Sequence, residues 1–243
     1  MAARAEFLER IRREVARTKG LFDAATAPRP PRPAEAAEAI RRELAERWPQ
    51  ALERFRREFE RVSGVFHRVP DRAAVPDAIA AIARERGARR LVTWDPAILG
   101  FDAGPRLAAE GCAVVAARAG REDEASRLRH RADAAAAQLG VTGADFVLAE
   151  TGTLILLSGA GRPRSTSLLP DAHVAVFGRD RLLETLEQVG VMLEDLHVDP
   201  DAAMSGAMIN FITGPSRTAD IELTLTRGVH GPKEVHAVFV ETP

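Results

Sequence analysis

The chain has 243 residues, 46 % of them hydrophobic and 28 % charged, which suits a folded core and one α/β domain with an appendage. Its one cysteine, Cys112, excludes an internal disulfide, a thiolate zinc site and an iron–sulfur cluster carried by this chain alone. Thirty-four basic residues against thirty-five acidic ones argue against a nucleic-acid binder, whose phosphate contacts need a basic surface.

The segment Met1–Arg10 carries acids and lacks the apolar run of a secretory signal, and no stretch approaches the roughly 18 apolar residues of a membrane span. The expectation is a cytoplasmic protein. Residues 1–68 hold sixteen basic against eleven acidic side chains, so the excess positive charge lies at this end. Phe7, Ile11 and Val15 recur at helical spacing with Leu8 beside them, predicting an amphipathic helix that ends near Gly20. That helix is free to pack on the rest of the chain, on a partner, or on a second copy in a homodimer. The run Ala27–Pro33 is too rich in proline to be helical and reads as a linker. Ala37, Ile40, Leu44 and Trp48, then Leu52, Phe55, Phe59 and Val62, predict more helix, kinked or split at Pro49.

From Val69 the pattern alternates between helices and short apolar strands. Val75, Ile79 and Ile82 share a helical face that Gly87 ends, and Leu91–Trp94 is a buried type of strand. A short helix over 104–110, a strand over 112–115 and a helix over about 122–139 follow. Such alternation implies a largely parallel sheet with ligands beyond the carboxyl ends of its strands, where Asp95 lies. The strands 144–149, 153–157 and 173–177 leave no room for helices between them, so some pair antiparallel and the sheet is mixed. A helix over about 181–196, a strand over 208–213, an ambiguous stretch 221–227 and a strand over 234–240 complete the chain.

Four segments carry candidate chemistry. In Asn210–Glu222 an apolar strand empties into a Gly-Pro turn. Gly214 permits close backbone approach, Ser216 and Thr218 cap a following helix, Arg217 offers a planar fork to carboxylate or phosphate, and Asp220 lies beyond. The same residues also suit a plain helix cap with an Arg–Asp pair. In Gly161–Pro170, Arg162, Arg164 and Thr166 stand among further hydroxyls, fit either to close over an acidic ligand or to form a solvated loop. In Glu150-Thr151-Gly152-Thr153 the glycine marks a bulge or a close approach, and Glu150 beside it suits a nucleophile, a general base, or a solvent-facing strand end. In Gly228–Lys233, His230 suits proton transfer or turn capping and Lys233 suits an anion. His67, His130, His173, His197 and His236 show no metal-ligand spacing, so no metal site is expected. Walker, dinucleotide and Gly-x-Ser-x-Gly patterns are absent.

Ala149–Leu156, Ser167–His173, and above all Thr213-Gly-Pro-Ser-Arg-Thr-Ala-Asp-Ile-Glu222 with Gly228-Val-His-Gly-Pro-Lys233, resemble the LutC/YkgG family of lactate utilization proteins from about Glu58 onward. The resemblance implies a LUD domain over residues 58–243, with residues 1–57 as an N-terminal helical extension. It also implies a NagB/RpiA/CoA-transferase-like fold, a three-layer α/β/α arrangement with a mixed, mainly parallel sheet. The role it implies is in oxidising L-lactate to pyruvate beside LutA- and LutB-like partners that carry the iron–sulfur clusters, with no cofactor in this chain. Two readings stand at this point. One is an accessory subunit that binds a small anion near Gly214, Ser216, Arg217 and Thr218, with Thr151, Gly152, Arg164, Thr166 and Lys233 approaching. The other is a free-standing enzyme of the CoA-transferase, sugar-phosphate isomerase and formyltetrahydrofolate cyclo-ligase superfamily, with Glu150 as nucleophile by analogy.

Overall fold

The computed structural model describes residues 2–17, 32–118, 124–198, 208–219 and 225–242. They fall into two units, Met1–Pro31 and Arg32–Pro243. The first holds helix α1 (Ala2–Arg17), on which Phe7, Leu8 and Ile11 are exposed. Most of the expected linker, 27–31, lies outside the described residues.

The second unit opens with α2 (Pro33–Arg61), a single helix with Pro49 inside it. Pro33 at its start needs no N–H partner, and burial of Leu44 before Pro49 and of Ala51, Leu52, Phe55 and Phe59 after it offsets the roughly 3 kcal/mol that an interior proline costs. The helix runs through the boundary read at residue 57 and supplies core residues on both sides of it. The chain continues as β1 (Val65–Asp71), α3 (Val75–Glu85), β2 (Arg90–Thr93), α4 (Pro96–Leu99), α5 (Gly104–Ala109), β3 (Ala113–Ala116) and α6 (Glu124–Ala136). Next come β4 (Leu139–Gly143), β5 (Phe146–Leu148), β6 (Thr153–Leu157), α7 (Ser165–Leu168), β7 (Ala172–Gly178) and β8 (Leu182–Leu183). The last elements are α8 (Leu186–Val198), β9 (Ile209–Ile212), β10 (Arg217–Ala219), β11 (Leu225–Arg227) and β12 (Glu234–Thr242).

The fold is α/β with parallel and antiparallel pairing segregated into separate sheets. A six-stranded sheet in the order β1-β12-β7-β4-β2-β3 is parallel throughout. A four-stranded sheet, β8-β5-β6-β9, contains the antiparallel pairs that the closely spaced strands require, and β10 and β11 form a separate ribbon.

Strand alternation assigns each side chain to a layer. Leu91, Val141, Val174 and Val238 pack against Ile79 and Ile82 of α3 and Leu107 of α5. On the opposite face Ala175, Phe177, Ala237 and Phe239 meet Phe55 and Phe59 of α2 and Val147, Leu154 and Leu156 of the second sheet. That sheet's outer face, Leu148, Ile155 and Leu183, is covered by Val189 and Met192 of α8 and by Ala37 and Leu44 of α2. Buried on both faces, the central strands β4, β7 and β12 read as continuous apolar runs.

Two sequence expectations are corrected here. The helix expected to begin near Arg181 starts at Leu186, because Leu182 and Leu183 pair with β5 as β8. The helix expected after Gly214 is strand β10, whose Thr218 pairs across the ribbon with Thr226. β-Branched residues favour that pairing, so a strand and not a helix follows the turn. In the ambiguous stretch, 225–227 form β11, while 221–224 lie outside the described residues.

Candidate functional site

The two glycine-proline segments meet in space. Ser216 N–H donates to the Pro232 carbonyl at 2.9 Å, Gly228 N–H donates to the Ser216 carbonyl at 3.1 Å, and His230 N–H donates to Ser216 Oγ at 3.1 Å. Beside this knot lies a cavity of about 430 Å³, bounded by β9, the Gly214–Ser216 turn, His230 and Gly231, and by Arg164 and Ser167 at the start of α7. Arg164 is exposed and forms no ion pair with any described residue. The cavity thus combines an unneutralised guanidinium, hydroxyls and an imidazole, a donor set that suits an oxygen-rich anion.

The other sequence candidates divide. Lys233 reaches Asp171 at 3.1 Å in an exposed pair, and its own N–H donates to the Asp171 carbonyl, which ties β12 to the start of β7. Thr166 is buried, with Oγ1 at 3.2 Å from His130 Nε2, and is a packing hydroxyl. Arg217 and Thr218 belong to β10, and their side chains, like Asp220, lie outside what is described. Asp95 caps α4, its Oδ1 accepting from Ala97 N–H at 2.9 Å.

The close approaches announced by two glycines are made by the chain itself. A Cβ on Gly152 would lie 2.3 Å from Phe59 N, and one on Gly214 would lie 2.7 Å from the Val62 carbonyl oxygen, both at the end of α2. The loops are further joined through hydroxyls, Thr151 Oγ1 to Thr153 Oγ1 and Thr153 Oγ1 to Thr213 Oγ1, each 2.7 Å. Glu150 Oε1 accepts the Leu186 N–H at 2.8 Å and satisfies a free donor at the start of α8, where the helix dipole favours a negative charge. Glu150→Ala should therefore cost about 1 kcal/mol of stability, measured as a lowered urea midpoint. An unchanged midpoint would show that the cap is idle.

Sequence reading passed over Asp145, and Arg162, expected beside Arg164 at an acidic ligand, pairs with it instead. Arg162 Nη1 donates to Asp145 Oδ1 at 2.6 Å, while Leu157 N–H donates to Asp145 Oδ2 at 2.7 Å. Burial pushes the Asp145 carboxyl up from its ordinary value, against the pull of Leu157 N–H and the nearby arginines. The arginine stands seventeen residues along the chain from its carboxylate, so no local motif announces the pair.

The LUD domain family model matches residues 52–240, which lie within the unit holding both sheets. The chain belongs to the LUD domain family. A lactate utilization protein C of Halalkalibacterium halodurans is 39 % identical to this LUD protein over 169 residues, 68 % of each chain. One of an Exiguobacterium species is 42 % identical over 120 residues, so the aligned part spans about half of that relative, 49 % of each chain. The crystal structure of a DUF162 family protein from Deinococcus radiodurans shares the fold with a TM-score of 0.53 at 21 % identity, covering 79 % of this chain and 98 % of that one. Among the described residues of the LUD protein no helix is long and apolar enough to cross a membrane.

Proposed function

We propose that this chain is an accessory component of a lactate utilization system, one that binds a small anion in the Gly214 cavity and works beside iron–sulfur proteins that oxidise L-lactate to pyruvate. The pathway follows the names of its relatives, above all the one aligned over 68 % of both chains. One cysteine cannot hold a cluster, and Cys112 is buried with Sγ at 3.4 Å from the Ala88 carbonyl oxygen, which supports placing the clusters on cysteine-bearing companions. A single observation carries the ligand part: Arg164, without a carboxylate partner among the described residues, lines one cavity with Gly214, Ser216 and His230. Glu150, engaged as a cap on α8, does not favour the alternative of a transferase nucleophile.

Inorganic phosphate is a suitable probe of the cavity. Arg164→Ala should weaken its binding by about 1.5–3 kcal/mol in a calorimetric titration, the range for a hydrogen bond to a charged group. Equal affinity in both proteins would remove Arg164 from the site. Co-purification of the full chain with tagged iron–sulfur companions tests the accessory role, and failure to associate when both are folded would overturn it.

A further inference from the structure

A second, narrower cleft of about 110 Å³ lies beyond the carboxyl ends of the parallel strands, where open α/β sheets place ligands. Its floor is formed where β4 runs into Asp145 and β7 into Gly178, and Ile98 and Leu99 of α4 form one wall. Three arginines line it, Arg72, Arg162 and Arg181, and two of them are already neutralised within the chain. Arg162 is tied to Asp145 at 2.6 Å and its guanidinium carbon lies 5.8 Å from the centroid of the Trp94 ring, while Arg181 Nε pairs with Asp180 at 2.9 Å. Arg72 has no carboxylate partner among the described residues. Its Nη1 donates to the Leu99 carbonyl at 2.9 Å, which fixes the guanidinium at the cleft and leaves its other donors available. Gly100, at φ 73°, lies directly beneath that guanidinium, and any Cβ there would collide with Arg72 Nη1.

The cleft therefore carries one uncompensated positive charge and a planar donor fork, with Ile98 and Leu99 beside them, around a space too small for a nucleotide. We propose that it binds a short-chain monocarboxylate, with Arg72 holding the carboxylate and Ile98 and Leu99 enclosing the tail. A single carboxylate matches both the one unpaired charge and the fork. The site shares no lining residue with the Gly214 cavity, so it stands or falls independently of the anion site proposed there.

Calorimetric titration of the full chain with acetate, propionate, lactate and pyruvate tests this. The parent protein should bind monocarboxylates, and Arg72→Ala should weaken them about tenfold or more at an unchanged melting temperature. Arg72→Lys, which keeps the charge and loses the fork, should recover part of the affinity. Ile98→Trp, which fills the cleft without touching the charge, should weaken binding as well and serves if Arg72→Ala proves unstable. The inference is overturned if the parent binds none of these acids, if both variants bind like the parent, or if the loss occurs only in Arg164→Ala. Loss of phosphate binding in Arg164→Ala reports on the other cavity, so failure of one site is distinguishable from failure of the other.

Discussion

Gly152→Ala should destabilise the domain by roughly 3 kcal/mol or more, a large share of the 5–15 kcal/mol that holds a typical fold together. Two effects add. Gly152 sits at φ 64°, where a side chain is strained, and the new Cβ would lie 2.3 Å from Phe59 N and 2.6 Å from the Glu58 carbonyl carbon, backbone atoms of α2 that cannot rotate away. Relief requires α2 to lift from the second sheet, which opens the contacts of Phe55 and Phe59 with Leu154 and Leu156. Gly87 supplies the control, because at φ 63° it has nothing within 4 Å of the position a Cβ would take. Gly87→Ala should therefore show the strain alone, about 1–2 kcal/mol. Urea unfolding of the two variants separates the terms, and equal losses would mean that the α2 contact at Gly152 is not tight.

Acid should weaken the fold well before its carboxylates titrate. His173 is wholly buried, its Nε2 2.8 Å from Thr142 Oγ1 and its Nδ1 without a partner among the described residues, and burial lowers its pKa to about 3. His236 stacks on His67 with Nδ1 at 3.0 Å from His67 Nε2, and burial lowers it to about 4, with the neighbouring His67 acting in the same direction. Both folded values lie below the unfolded value of 6.5, so below that pH the unfolded chain takes up protons that the native state refuses. Stability is then complete above pH 6.5 and falls by about 1.4 kcal/mol per pH unit for each ring, on the order of 4 kcal/mol for the two at pH 5. His67, also lowered by burial, adds in the same sense, while Asp145, raised by burial, opposes it. Urea midpoints between pH 7.5 and 5 measure the slope, which His173→Gln should reduce by about one ring's share. A flat profile would mean that the rings are hydrated or protonated in the native state.

The parallel core was legible because β7 and β12 are buried on both faces, so that runs such as Ala172–Phe177 have no alternative to a central strand. β1 was not legible, because it is an edge strand in which Val69 alone is fully buried and a long helix precedes it directly. Whether Pro49 splits the helix was not legible for another reason: its local cost is fixed, whereas the burial that keeps α2 one helix through it depends on strands far along the chain. In the candidate site, the joining of Gly214, Ser216 and His230 to Arg164 was readable as a density of hydroxyls, glycines and cations. The partner of each glycine was not, since a glycine records that something comes close without recording what. Gly152 and Gly214 receive the end of α2. The polarity of Glu150 and Thr166 was likewise visible while their partners, Leu186 N–H and His130, come from distant segments. The cleft at Arg72 combines residues from six separate stretches, and no spacing announces it.

The account rests on the cavity between Arg164 and the Gly214–Ser216 turn being an anion site, and a crystal structure of the full chain in saturating tungstate, a heavy-atom surrogate for phosphate, locates the anion directly. The expected map has an anomalous peak within hydrogen-bonding distance of the Arg164 guanidinium and on the Ser216 side of the cavity. Peaks only on other arginines, with that cavity holding solvent, would contradict it.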